Sequence, residues 1–153
     1  MKNIRITKNV ALKAMKQAMD ERGEEFRFTD MFEEGIGCFY SGHPKDAPLD
    51  ACGEPLTDPV PACLVGLAFH YIDPDLDAFL REPGTNDESI AGVFGGDRYH
   101  PDRAPAETTV TLDEGVQITI TRKAIMALTA AQESQDGGST WGVAFERAVK
   151  SVS

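Results

Sequence analysis

A short alternation of apolar and polar residues constrains the fold of this chain more than any other feature. The apolar members are Val110, Leu112, Val116, Ile118 and Ile120, and Asp113-Glu114-Gly115 separates the two runs. A three-residue connection ending in Gly is a recognised hairpin turn, because Gly adopts positive φ at little cost. The sequence near 109–120 therefore predicts a β-hairpin within an antiparallel sheet.

Two segments pair a short strand with a capped helix. Ile4 and Ile6 alternate around a polar residue, and Thr7 then precedes an apolar stripe that runs to Arg22 and stops at Gly23. Thr121 follows the hairpin in the same way and precedes a helix ending at Asp136-Gly137-Gly138. A last helix begins near Thr140, and its spacing makes Trp141 a core anchor. Thr is a good N-cap residue, and Gly is a common stop.

The centre of the chain predicts the most buried helix. Pro61 suits a first helical turn, and residues 62–69 are apolar on nearly every side. Gly66 within it indicates close approach of another element, since Gly costs about 1 kcal/mol relative to Ala in a helix. Asp73-Pro74 predicts the start of a second short helix that Pro83-Gly84 ends, and residues 89–94 predict one further turn.

Other segments carry weaker signals. Phe26 and Phe28 alternate as a strand would, and so do Cys38 and Tyr40. Residues 41–60 contain Pro and Gly without helical periodicity, which predicts a long surface loop. Together the elements predict one globular α+β domain over residues 1–153: a small antiparallel sheet packed by an N-terminal helix, a buried central helix and a C-terminal helix pair.

The negative charge lies in the central third of the chain. Residues 51–121 carry 13 acidic and 3 basic side chains, which accounts for the whole net charge of −10. Such a field repels nucleic acid, so we expect no direct nucleic-acid partner. A solvated acidic face is one interpretation; the other is a docking surface for a basic protein. The residues predicted to bind that protein are Asp75, Asp77, Glu82, Asp87 and Glu88.

No recognisable set of catalytic or metal-binding residues emerges. Cys38, His43, Cys52 and Cys63 lack the paired spacing of structural zinc sites, so we expect neither a metal nor another cofactor. Cys63 suits a buried packing role, and Cys52, which lies in the loop, is the best candidate for a free, reactive thiol. Three cysteines cannot all pair within the chain, which favours a reducing cytoplasm.

The last two helices raise the possibility of a helix-turn-helix. The second of them offers only Arg147 and Lys150 as bases, so an αα-hairpin packed on the sheet is the simpler interpretation. No apolar run approaches the ~20 residues that a membrane-spanning helix needs.

Several short motifs, in this order, resemble a group of small uncharacterised bacteriophage proteins of actinobacteria. They are Cys38-Phe39-Tyr40, Pro61-Ala62-Cys63-Leu64-Val65-Gly66, Ala131-Gln132, Gln135-Asp136, Gly138 and Trp141-Gly142. The chain departs from the group in a longer loop over residues 43–58. The resemblance implies a phage protein acting in the host cytoplasm, and it brings no activity or cofactor.

Three functional hypotheses stay open on the sequence. The first is a non-enzymatic accessory protein that binds a host protein through the acidic residues, for host modulation or counter-defence. The second is a small-molecule binder or sequestering protein that uses Tyr40, His43, His70 and Tyr99. The third is an enzyme with a cysteine nucleophile, although a surrounding acidic excess opposes thiolate formation. Neither the ligand nor the oligomeric state follows from these patterns.

Overall fold

The computed structural model describes residues 2–33, 40–82, 85–86, 88–112 and 115–153. In chain order the elements are β1 (Lys2–Ile6), α1 (Lys8–Arg22), β2 (Ser41–Gly42), β3 (Val60–Pro61), α2 (Leu64–Ile72), α3 (Leu76–Arg81), α4 (Ile90–Val93), β4 (Glu107–Thr111), β5 (Val116–Thr121), α5 (Arg122–Asp136) and α6 (Trp141–Ser151). The helices and small sheets confirm the α+β fold. None of the helices in these ranges is long and apolar enough to cross a membrane.

The three-stranded sheet has β5 in the middle, with β1 on one side and β4 on the other. β4 and β5 are antiparallel, with Val110 opposite Ile118, which confirms the predicted hairpin. Gly115 has a φ of 76° beside the turn, while Asp113 and Glu114 lie outside the described residues. β1 joins β5 in parallel, with Ile4 opposite Ile118, so the sheet as a whole is mixed. The alternation of apolar and polar residues in β1 predicts which face of the strand is buried. It does not predict whether the strand pairs in parallel or antiparallel.

Threonine caps start the helices that follow β1 and β5. The Thr7 hydroxyl accepts a hydrogen bond from Val10 N at 3.3 Å, and the Thr121 hydroxyl accepts one from Ala124 N at 3.2 Å. α1 ends before Gly23, whose φ of 100° breaks the helical conformation. These caps confirm the predicted strand-cap-helix units. The sequence could predict them because capping depends on residues that are close in sequence.

The buried central helix starts later than the sequence predicts. Pro61 belongs to β3, opposite Ser41, and α2 begins at Leu64. The cap is Cys63, whose buried Sγ accepts a hydrogen bond from Gly66 N at 3.3 Å. Proline is compatible with both an edge strand and a first helical turn. Pairing of β3 with β2 places Pro61 in a strand.

Gly66 confirms the predicted close approach of another element. A Cβ at Gly66 would lie 2.8 Å from the carbonyl carbon of Tyr40 and closer still to its oxygen. That oxygen also accepts a hydrogen bond from Ala62 N at 2.8 Å. The backbone before β2 therefore lies directly on α2, at a distance that only glycine permits.

The two short helices form close to their predicted positions. α3 starts at Leu76 rather than at Pro74, because the Asp73 carboxylate accepts a hydrogen bond from Asp75 N at 2.9 Å and forms a turn before the helix. Ser89 caps α4 by accepting a hydrogen bond from Gly92 N at 3.0 Å. The predicted stop at Pro83-Gly84 lies outside the described residues.

Two buried glutamines of α5 hold the starts of other helices. Gln135 Oε1 accepts a hydrogen bond from Leu64 N at 2.8 Å, and Gln132 Oε1 accepts one from Ile90 N at 3.1 Å. Gln132 Nε2 donates to the Tyr40 hydroxyl at 2.9 Å. Both amides thereby satisfy N–H groups that the first turns of α2 and α4 leave free. Gln132 and Gln135 therefore join α5 to the starts of α4 and α2.

Trp141 is the predicted core anchor at the start of α6. Its side chain is fully buried, and its ring packs edge-on against Phe26 at a centroid distance of 4.7 Å. The guanidinium of Arg22 lies 5.2 Å above the indole and donates to the carbonyls of Pro61 and Ala62, both at 2.6 Å. Desolvation by burial lowers the pKa of Arg22. One arginine thus connects the end of α1 to β3 and the aromatic cluster.

The predicted strand at Phe26 and Phe28 is wrong. Phe28 starts a 3-10 turn, Phe28–Asp30, and its ring stacks on Phe32 at a centroid distance of 5.1 Å. The turn brings these two rings together, which an extended strand would not do. The predicted strand at Cys38 lies outside the described residues. Residues 43–59 connect β2 to β3, and these two short strands pair at the ends of that segment.

Candidate functional site

The first two predicted acidic residues lie where α2 leads into α3. Asp75 is exposed, but Lys2 Nζ lies 2.8 Å from its Oδ2 and 2.6 Å from Oδ2 of Asp73. The hydrogen bond from Lys2 lowers the pKa of Asp73 below its usual range. β1 therefore supplies a cation that neutralises part of the charge at this corner.

Asp77 has a partner within the fold. Its Oδ2 lies 2.7 Å from Nδ1 of His70, and its side chain is only 15% exposed against 38% for His70. Only part of this carboxylate therefore reaches solvent. His70 lies on the last turn of α2 and Asp77 on the first turn of α3, so the pair joins the two helices.

Glu82 and Glu88 are exposed, and Asp87 lies outside the described residues. Glu88 Oε1 accepts a hydrogen bond from Ser89 N at 2.9 Å. Asn86 connects this segment to β2, because Ser41 N donates to Asn86 Oδ1 at 2.9 Å and Asn86 Nδ2 donates to Ser41 O at 3.1 Å. The residues around Glu82 and Glu88 are therefore bonded to the base of the long loop.

That loop contains a small hydrogen-bonded hairpin, residues 48–56, which we call the arm. Leu56 N donates to Pro48 O at 2.9 Å, and Asp50 N donates to Glu54 O at 2.8 Å. At the tip, Asp50 Oδ1 accepts hydrogen bonds from Cys52 N at 2.8 Å and Glu54 N at 2.9 Å. These bonds join the two sides of the arm and close its tip.

The arm exposes apolar side chains beside negative charge. Leu49 is 58% exposed and Leu56 is 64% exposed. The acidic residues of the arm and its flanks are Asp46, Asp50, Glu54 and Asp58, and no Lys or Arg occurs between residues 46 and 59. None of these four carboxylates forms an ion pair within the described part of the chain. A preorganised hairpin with exposed leucines and unpaired carboxylates suits contact with a basic, partly apolar surface.

The exposed leucines were not singled out by sequence reasoning. They follow neither helical nor strand periodicity, so they belong to no predicted core face. The available signal was compositional: two isolated leucines within a Pro-rich acidic loop. Only the hairpin pairing shows that the arm presents them on an ordered backbone.

The residues considered for small-molecule binding have separate surroundings. Tyr40 is fully buried, whereas Tyr99 is 75% exposed. His43 Nε2 lies 3.0 Å from Thr57 O, and His70 Nδ1 lies beside Asp77. The Tyr40 hydroxyl bonds to Glu88 O and to Gln132 Nε2. Among the described residues, no hydrogen bond joins the side chains of His43, His70 and Tyr99 to one another.

The two described thiols lie in different environments. Cys52 is exposed at the tip of the arm, Cys63 is buried, and Cys38 lies outside the described residues. Neither described thiol is hydrogen-bonded to a histidine. In the ranges that the structure covers, no three His, Cys, Asp or Glu side chains converge as metal ligands would.

The C-terminal helix pair presents mixed charge. A groove of about 690 Å³ between α5 and α6 is lined by Arg147 and Lys150 and also by Glu133 and Glu146. The two bases that a recognition helix would offer therefore share their surface with two carboxylates. Such a surface lacks the basic excess that binding to phosphate backbones requires.

Comparison of the chain with protein-family models, with curated proteins and with solved structures finds no match.

Proposed function

We propose that this protein is a non-enzymatic binding protein that docks on a basic partner protein through an acidic surface. The acidic surface comprises the arm, its flanking carboxylates and the segment from Asp75 to Glu88, with Asp75, Asp77, Glu82, Asp87 and Glu88 as predicted contacts. The arm is the centre of this surface in the proposal.

The observation that carries the proposal is the pairing of exposed leucines with uncompensated carboxylates on the arm. Leu49 and Leu56 are more than half exposed, although the arm backbone is ordered by its own hydrogen bonds. Apolar contacts supply affinity when they are desolvated, and the surrounding charges favour basic partners and repel acidic ones. The hydrogen bonds between Asn86 and Ser41 support extending the surface to Glu82 and Glu88.

The partner, in this proposal, is a host protein of the cytoplasm. The basis is the resemblance of the sequence motifs to actinobacteriophage proteins, whose site of action is the infected cell. Binding would then modulate host physiology or block a host defence.

The test is capture from a lysate of an actinobacterial host with matched variants. One variant combines Asp58→Lys with Glu82→Lys, and the control combines Glu133→Lys with Glu146→Lys on the helix pair. All four carboxylates are exposed, and both variants change the net charge equally. We expect the first variant to capture at least about tenfold less of a partner whose binding weakens with added salt. The control should capture as much of that partner as the wild type does.

The leucines are tested separately by combining Leu49→Ser with Leu56→Ser. We expect loss of the same partner, because the apolar contacts are removed while the charge is retained. Capture that is equal for the wild type, the charge variant and the leucine variant overturns the proposal. A captured protein whose contact surface is acidic also overturns it.

A further inference from the structure

Among the described strands, β1 has a pairing partner on one of its two edges only. Its Lys2 N donates to Gly115 O at 3.0 Å, so residues 2, 4 and 6 direct their backbone groups toward β5. In a parallel pair the intervening residues direct theirs the opposite way. The N–H and C=O groups of Asn3 and Arg5 therefore point away from β5, and no described strand pairs with that edge.

A groove of about 430 Å³ runs beside this edge. One wall is β1 from Asn3 to Arg5, and the other is the end of α2 at Tyr71 and Ile72. Val10 and Ala14 of α1 contribute apolar surface to it. A groove that combines free backbone groups with apolar side chains is the arrangement that accepts an added strand.

The charge of the groove favours an acidic occupant. Of its charged lining residues, Asp73 is paired with Lys2, and Arg5 is paired with Glu107. Lys13 is exposed and forms no ion pair among the described residues. Among the described residues that line the groove, Lys13 is therefore the charged one that has no ionic partner and is available to a ligand.

We propose that the groove binds an extended peptide segment of a partner protein as an additional strand on β1. The segment accepts and donates hydrogen bonds at Asn3 and Arg5, packs apolar side chains on Val10 and Ala14, and places a carboxylate near Lys13. This site is separate from the acidic surface and takes a ligand of the opposite charge.

The test begins with selection of random short peptides, displayed on phage, against the full chain. We expect enriched peptides to alternate apolar and polar residues and to carry Asp or Glu at a constant offset. The best of them is then synthesised, and its binding is measured by fluorescence anisotropy.

Matched charge reversals on α1 identify the groove. Lys13→Glu should weaken binding of the selected peptide about threefold to tenfold, because an attractive pair becomes a repulsive one. Lys16→Glu should leave binding within about twofold, since Lys16 does not line the groove and lies 3.7 Å from Asp20 instead. Both side chains are exposed, and unfolding midpoints establish that both variants fold.

Amide hydrogen exchange identifies the strand addition itself. In the free protein the amides of Asn3 and Arg5 should exchange fast and that of Ile4 slowly, because, of these three residues, only Ile4 directs its N–H toward β5. The bound peptide should slow Asn3 and Arg5 and leave Thr109, on the opposite edge of the sheet, unchanged.

Four results overturn this proposal. The first is a selection that enriches no peptide, and the second is protection of the Thr109 amide instead of those of Asn3 and Arg5. The third is an equal effect of Lys13→Glu and Lys16→Glu on peptide binding. The fourth is slow exchange of the Asn3 and Arg5 amides in the free protein, at a rate that depends on the protein concentration. The last result would assign the groove to a second copy of this chain. Loss of the acidic-surface partner has no bearing on these measurements.

Discussion

The contact between Gly66 and Tyr40 predicts that Gly66→Ala destabilises the protein, although alanine is the better helix former. The added methyl group would lie 2.8 Å from the carbonyl carbon of Tyr40 and 2.9 Å from its Cα. Both distances are shorter than side-chain carbons tolerate, and the neighbour is backbone rather than a flexible side-chain end. Either α2 or the segment before β2 must move.

The magnitude follows from three contributions. Alanine gains about 1 kcal/mol of helix propensity over glycine. Overpacking of a closed site costs about 1–3 kcal/mol. Movement of Tyr40 also weakens the 2.8 Å hydrogen bond that its carbonyl accepts from Ala62 N, and an orphaned buried group costs about 1–3 kcal/mol. We therefore expect a net loss of about 3 kcal/mol in the free energy of unfolding.

Urea unfolding monitored by fluorescence measures this loss, because the chain has one Trp and Trp141 is fully buried. The control is Gly137→Ala at the end of α5. Gly137 has a φ of −77°, and its added Cβ would lie 3.4 Å from the nearest backbone atom. We expect the control to stay within about 0.5 kcal/mol of wild type. A Gly66→Ala protein as stable as wild type, or more stable, would refute the close-packing argument.

Two further predictions concern buried and exposed polar groups. Gln132→Leu should cost about 1–3 kcal/mol in urea unfolding, because Ile90 N loses its acceptor and the Tyr40 hydroxyl loses a donor; an unchanged midpoint would contradict this. Lys2→Met should raise the pKa of Asp73 toward its ordinary value, measured by NMR titration of the carboxyl carbon. Because Lys2 lowers that pKa in the folded state, its stabilising effect is present above about pH 3.9 and lost as the pH falls through the folded pKa. The stability difference between wild type and Lys2→Met should therefore close on acidification, and a difference that is constant with pH would exclude the ion pair as its cause.

The candidate site was accessible from the sequence only in part. Charge counting located the acidic segment and named Asp75, Glu82 and Glu88, which are exposed. It had no means of showing that Lys2 pairs with Asp75 or that His70 bonds to Asp77, because these partners come from other elements. Whether any of these carboxylates contacts a partner stays a prediction.

The arm shows a second limit of sequence reasoning. Proline and glycine content identified residues 41–60 as a loop, and residues without periodicity give no indication of how a loop folds. The hydrogen bond from Leu56 N to Pro48 O forms only when the two sides of the arm meet. Leu49 is exposed because of the way the arm folds, and the residues next to it in the sequence do not predict this.

The sequence by itself determined the local elements of this protein. Thr7 and Thr121 cap the helices that follow them, Gly23 ends α1, and the alternation on either side of Gly115 makes the hairpin. Each of these depends on residues close in sequence, so it needs no partner from a distant part of the chain.

Tertiary structure alone decided how those elements combine. It placed β1 parallel to β5, assigned Pro61 to a strand rather than to α2, and supplied Gln135 as the hydrogen-bond acceptor for Leu64 N. In each case the local sequence permits more than one arrangement, and a partner far along the chain selects one of them. That partner's position depends on packing of the whole core, which no local pattern encodes.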